Sequence, residues 1–173
     1  MHERKFTRLP RFDYSASRYY FFTICVKDHI HSFGLVENGT MRLSENGMVA
    51  LEQSKWLKDQ YPYIELIAFI VMPNHVHGII YINADFYNEI LGNNQSNNVG
   101  NSRDCSLQSI QTNPKIKPLP ELIGAYKTTV SKHIHLQGDN RFKWQKSYHD
   151  HIIRNQQSLN RIITYIETNV EKW

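Results

Sequence analysis

The stretch Met72-Pro73-Asn74-His75-Val76-His77-Gly78-Ile79-Ile80-Tyr81-Ile82 decides how the rest of this chain is read. Pro73-Asn74 is a turn signal with an apolar run on each side, Ile64 to Met72 before it and His75 to Ile82 after it, which predicts a β-hairpin. Side chains alternate faces along a strand, so the imidazoles of His75 and His77 leave the sheet on the same side, at the rim of that hairpin. Two histidines so placed can share one ligand and make half of a metal site. Polar residues on the solvated face of an edge strand have the same His-x-His spacing, but the turn directly before the pair favours a site.

Around the hairpin lie 173 residues, enough for one domain with a proper core and too few for two, so 1–173 is read as a single domain. Hydrophobic residues make up 40% of the chain and no apolar stretch approaches a bilayer's thickness, which predicts a soluble protein with no membrane partner. The start, MHERKFTRLPRFDY, lacks the apolar core of a secretion signal, and Cys25 and Cys105 form no pair with metal-ligand spacing. A cytoplasmic location is the resulting expectation. The net charge of +4 is unevenly spread, with Arg4, Lys5, Arg8, Arg11 and Arg18 in a basic arm over 1–18 and a second basic stretch from Lys115 to Arg154. Cations at both flanks of the core suit a polyanionic partner, although such an arm also serves solubility alone.

Tyr19 to Val26 is an unbroken aromatic and β-branched run that fits a central strand buried on both faces. Residues 32–43, with Asn38-Gly39 at their middle, predict a small hairpin arm. Ser44 can cap a helix running to about Tyr61 with Met48, Val49, Trp56 and Leu57 inward. Residues 83–118 are crowded with asparagine and poor in large apolar side chains, which predicts a flexible loop. A second helix from about Leu119 places Leu122, Ile123, Tyr126, Val130 and Ile134 on one stripe, a short strand spans roughly Ser147 to Arg154, and a last helix runs from about Gln156 to the C-terminus. This order predicts an α+β fold, a ferredoxin-like split βαβ sandwich whose antiparallel sheet carries helices on one face, with an added C-terminal helix. The other sheet face is then left open for a polymer.

Leu159, Ile162, Ile163, Ile166 and Val170 form the apolar stripe of the last helix, and Tyr165 and Asn169 lie together on its flank as i and i+4 neighbours. There a tyrosine and an amide can both point at something resting on the sheet. A tyrosine that merely packs its ring and wets its hydroxyl would occupy the same position. Tyr126 sits on a core stripe, whereas Tyr148, beside His149, Asp150 and His151, rivals Tyr165 for a chemical role. His151 and Arg154 are candidate DNA contacts, together with Arg4, Lys5, Arg8 and Arg11 of the basic arm.

His75-Val76-His77 with Tyr165 and Asn169 in Tyr-Ile-x-x-Asn resembles the HUH-type single-tyrosine transposases, specifically their REP-associated tyrosine transposase branch. The likeness extends to Phe12-Asp13-Tyr14-Ser15, Tyr20-Phe21-Phe22-Thr23-Ile24-Cys25, Phe33-Gly34, and Trp144 through Arg154. The resemblance implies a single-stranded DNA endonuclease and strand transferase in which Tyr165 is the nucleophile, forming a 5′-phosphotyrosine. It also implies that His75, His77 and Asn169 hold a divalent cation, Mg²⁺ or Mn²⁺, that the DNA carries hairpin or repeat ends, and that the chain works as a homodimer. Relatives read Asn-Pro where this chain has Asn169-Val170, a loss that lets the helix run on and shifts the amide. Two other functions fit the residues: a domesticated single-stranded nucleic-acid-binding protein without catalysis, and a metal-dependent hydrolase using His75 and His77 with His149 or His151.

Overall fold

The computed structural model describes residues 12–85 and 116–173; Arg4, Lys5, Arg8 and Arg11 and most of the asparagine-rich loop lie outside the described residues. In chain order the elements are β1 (Arg18–Cys25), β2 (Gly34–Glu37), β3 (Thr40–Leu43), α1 (Glu45–Gln60), β4 (Ile64–Met72), β5 (His75–Ile82), α2 (Leu119–Leu136), β6 (His149–Ile153) and α3 (Gln156–Glu167). The main sheet has the order β4-β5-β1-β6 with every neighbouring pair antiparallel, and β2 and β3 form a separate ribbon. Connecting β1 to β4 through α1, and β5 to β6 through α2, skips one strand each time, which is the split βαβ arrangement the sequence predicts.

Local chemistry explains the boundaries. Ser44 Oγ accepts the Gly47 N–H at 3.2 Å and starts α1, while Asn155 Oδ1 accepts the Ser158 N–H at 2.8 Å and starts α3. Asn38 and Gly39 both hold positive φ, 51° and 71°, the conformation that closes the two-residue β2–β3 turn. Gly78 has a different cause: a Cβ there would lie 2.4 Å from the Phe22 ring, so glycine lets Phe22 and Phe69 close over β5.

The sheet has two unlike faces. On one, Tyr20, Phe22, Ile24, Val76, Ile80, Ile82, Val71 and Ile152 join Val49, Ala50 and Leu57 of α1 and the stripe of α2 in the main core. On the other, Ile79, Ile153, Ile67, Ala68 and Ile70 pack against Leu159, Ile162, Ile163 and Ile166 of α3. A register shift between Leu66 and Ala68 turns both Ile67 and Ala68 toward α3.

Three expectations change. The second face is not open: α3 lies across β4 and β5, because an amphipathic helix must bury its stripe somewhere, its cluster also takes in Ile153 and the rings of Tyr19 and Phe21, and His149 and His151 of β6 stay exposed. β1 is not buried on both faces, since Tyr20, Phe22 and Ile24 are buried while Phe21 and Thr23 are half-buried. Met48 is 49% exposed, because α1 turns Gly47, Val49, Ala50, Gln53, Ser54 and Leu57 inward, a face of small and polar residues that apolar periodicity overlooks.

Candidate functional site

The β4–β5 turn is tied down by its neighbours before it presents any side chain. The Val26 N–H donates to Asn74 O at 2.8 Å and the Phe33 N–H donates to Pro73 O at 3.0 Å. Next to it Asp28 and His29 both hold left-handed backbone, φ 56° and 54°, an uncommon conformation for these residues. That bend directs the His29 carbonyl at Asn74, whose Nδ2 donates to it at 3.3 Å. Asn74 Oδ1 is thereby fixed as an acceptor and takes the Nδ1–H of His75 at 2.6 Å. His75 consequently carries its lone pair on Nε2.

His77 points to the same side, as strand alternation requires, and is 5% exposed. Its Nδ1 lies 2.8 Å from Thr23 Oγ1 on the neighbouring β1, directly across the ladder, and the Phe21 ring stacks on it at 5.5 Å. The two Nε2 atoms are 2.9 Å apart. Two lone pairs cannot face each other at that distance, so either His77 carries a proton on Nε2 with the Thr23 hydroxyl donating to its Nδ1, or a cation lies between them. Two nitrogens held at right angles about 2.1 Å from one cation would be about 3 Å apart, which the observed separation matches.

Burial pushes the His75 imidazole down to about 4, with His29 adding to the shift, and pushes His77 down to about 3, with His75 and then His149 adding to it. Both are neutral near pH 7, the state that ligates metal. An unfolded chain protonates these rings below a pH of about 6.5, where the folded chain does not, so their burial lowers stability progressively as pH falls from 6.5 toward 4. His77→Gln removes one such group. Its stability deficit relative to the original chain, read from urea midpoints without metal, should therefore shrink between pH 7.5 and 5; a constant or growing deficit would contradict this account of the ring.

Tyr165, on the exposed flank of α3 and 43% accessible, brings its hydroxyl to 3.3 Å from His77 Nε2. Its ring stands edge-on to both His77, at 5.4 Å, and Phe21, at 6.3 Å. The rival tyrosines are elsewhere. Tyr126 is fully buried and donates to Ala50 O at 2.8 Å, and Tyr148 packs against the main core, on the sheet face away from the histidines.

The structure thus brings His75, His77 and Tyr165 together. α3 ends at Glu167, where Thr168 departs from helical backbone (φ −94°, ψ 8°) and the Asn169 N–H reaches back only three residues, to Ile166 O at 3.3 Å, so the last helix does not run unbroken to the C-terminus. Asn169 opens a short 3-10 turn, Val170–Lys172, and its amide makes no hydrogen bond to either imidazole among the described residues. That turn delivers Trp173 against both His75 and His31, each at 5.7 Å between ring centroids, a contact that accounts for the chain leaving its helical path.

His149 and His151 are exposed on the histidine face, opposite Thr23 and Phe21 of β1. They complete no group of three or more His, Cys, Asp or Glu able to hold a metal among the described residues. Arg154 lies beyond them in a cleft at the start of α3. Sequence reasoning missed Thr23, Asn74, Phe21 and Trp173. Asn74 and Thr23 could have been suspected, since a hydrogen-bonding side chain beside a histidine commonly fixes its tautomer.

No family model matches the chain. It is 29% identical over 177 residues, covering all of this chain and 91% of the relative, to an uncharacterized protein of Haemophilus influenzae. In three dimensions it is similar to a REP-associated tyrosine transposase solved bound to a REP hairpin, with TM-score 0.57 and 17% identity over 99% of this chain and 74% of that one. The two share a fold. No helix among the described residues is long and apolar enough to cross a membrane.

Proposed function

We propose that this chain cleaves and rejoins single-stranded DNA through a covalent 5′-phosphotyrosine on Tyr165, with a divalent cation, Mg²⁺ or Mn²⁺, bound at His75 and His77. One observation carries the reading: two neutral imidazoles, His77 buried and His75 half-buried, present their Nε2 atoms to one point, and the hydroxyl of the exposed Tyr165 lies 3.3 Å from that of His77. A pure binding module needs no such convergence, and a hydrolase built on three histidines would need His149 or His151 at the same point. The fold shared with a transposase that binds a REP hairpin supports hairpin-bearing DNA as the substrate.

The donor set fits a cation. Asn74 holds His75 in the tautomer with Nε2 unprotonated, Thr23 can accept from His77 Nδ1–H to do the same for His77, and two nitrogens leave room for phosphate and water oxygens. The Asn169 amide, on the turn directly after α3, is proposed as the third protein ligand. When bound, the cation would act as a Lewis acid toward the scissile phosphate.

The protein's own groups do the rest. Tyr165 Oη forms a bond to phosphorus as the bond from phosphorus to the 3′ oxygen breaks; the phenol gives up its proton and the departing oxygen gains one, leaving a free 3′-hydroxyl. His77 and Phe21 hold the tyrosine ring at its edge, so the hydroxyl is placed before substrate arrives. A 3′-hydroxyl from another end can reverse the step and rejoin DNA. Exchanging two ends takes two nucleophiles, which supports a homodimer as the working state.

The test is a denaturing gel of the full chain with a labelled single-stranded oligonucleotide carrying a hairpin. A protease-sensitive, slowly migrating DNA band is expected with Mn²⁺ or Mg²⁺ and should vanish in EDTA. Cleavage without any protein-linked product would overturn the tyrosine chemistry in favour of water.

A further inference from the structure

The histidine face of β1 and β5 continues well past the site. The histidine end of the sheet is marked by Thr23 opposite His77; four residues further along β1 and β5, Tyr19 lies opposite Tyr81. At strand rise that is about 13 Å away. The two rings pack at 4.6 Å with 32° between their planes, and they border a cavity of about 300 Å³ also lined by Arg18, Arg154, Asn155 and Gln156. A second hollow of about 440 Å³, lined by His151, Arg154, Asn155 and Arg161, adjoins it through Arg154 and Asn155. Arg161 precedes Tyr165 by one turn on the same flank of α3, about 6 Å along the helix axis.

The two hollows therefore share a wall at Arg154 and Asn155, and the second of them ends at Arg161, one helical turn from Tyr165. Among the described residues no acidic residue lines either hollow, and Arg154, Arg161 and Arg18 make no ion pair. Arginines left without carboxylate partners around an aromatic floor complement one ligand chemistry, a phosphate joined to a planar ring. Asn155 spends its Oδ1 on the Ser158 N–H, which leaves its NH₂ group as a donor at the wall common to both hollows.

We infer that the slot between Tyr19, Tyr81, Arg18 and Arg154 binds one unpaired nucleotide of the DNA strand, its base against the tyrosines and its phosphate on Arg154, about 13 Å along the sheet from the histidine end. This rests on the single-stranded DNA reading of the site, but on none of its chemistry. The slot fixes the register of the strand, so that one defined phosphate reaches Tyr165. Arg161 and His151 hold the backbone between the two points.

The test uses the full chain carrying Tyr165→Phe, so that binding is measured with no adduct forming, and single-stranded DNA with 2-aminopurine placed in turn at each position around the cleavage point. One position, removed from the cleaved linkage, should be quenched on binding. Adding Tyr81→Leu should abolish that quenching and weaken binding roughly tenfold, within the range for loss of one stacked base. Adding Arg154→Gln should weaken binding to a similar extent and lower the salt slope by about one, with both proteins melting as the parent does. Quenching confined to the cleaved position, or both variants binding within twofold of the parent, would overturn the inference. The nuclease reading fails separately: if the chain with Tyr165 intact yields no adduct while the slot variants lose the quenched position, the slot stands and the chemistry falls.

Discussion

Tyr165→Phe is expected to fold, to bind single-stranded DNA, and to yield no covalent protein–DNA species. Removing the nucleophilic atom leaves only whatever attack water can make, so the loss should be on the order of 10³-fold or more. Stability should change little. The residue is 43% exposed and its hydroxyl makes one long contact to His77, so deleting that oxygen should cost on the order of 1 kcal/mol or less. Tyr148→Phe is the control: that residue packs against the main core on the opposite face, and its variant should still form the adduct. Adduct formation by the Tyr165 variant at more than trace level would show that another group attacks.

His75→Ala and His77→Ala should each abolish metal-dependent cleavage, again by 10² to 10³-fold or more, because a cation left with one imidazole is held little better than in water. His77→Ala also opens a small void under Phe21 and leaves Thr23 without its partner, so it should lower the melting temperature more than His75→Ala does. Isothermal titration with Mn²⁺ separates the two effects, since the loss of binding should be complete in both variants at temperatures where both are folded. Thr23→Val should keep the fold and lose roughly 10 to 100-fold in Mn²⁺ affinity, the usual cost of removing a group that orients a ligand. Retention of metal-stimulated cleavage in either alanine variant would remove the histidines from the chemistry.

Much of this arrangement was legible in the sequence because it rests on local periodicity. The hairpin of Ile64–Met72 and His75–Ile82 follows from a turn signal between apolar runs, and the common direction of His75 and His77 follows from alternation alone. Tyr165 could be ranked above Tyr126 because helical spacing puts one on a flank and the other on a stripe. Thr23 and Asn74 could be suspected as groups that aim the histidines, but their contacts were not legible, since one is set by strand pairing and the other by backbone conformation. Thr23 meets His77 across 54 residues of sequence, and Asn74 is aimed by a left-handed bend at His29. Helical periodicity counted Val170 and Asn169 as further turns of the last helix, yet the backbone leaves the helix at Thr168 and the turn after it packs Trp173 on His75 and His31. The open sheet face was also overdrawn: the stripe of Leu159, Ile162, Ile163 and Ile166 had to cover something, and the surface still without a partner was that face.

The central claim is that a phosphate becomes bonded to one particular phenol. Peptide mapping by mass spectrometry of the trapped protein–DNA species tests it most directly. After nuclease and protease digestion, the nucleotide mass should sit on the peptide containing Tyr165 and fragment to that residue. A nucleotide located on Tyr148 or any other side chain, or a cleaved DNA with no modified peptide at all, would contradict the account.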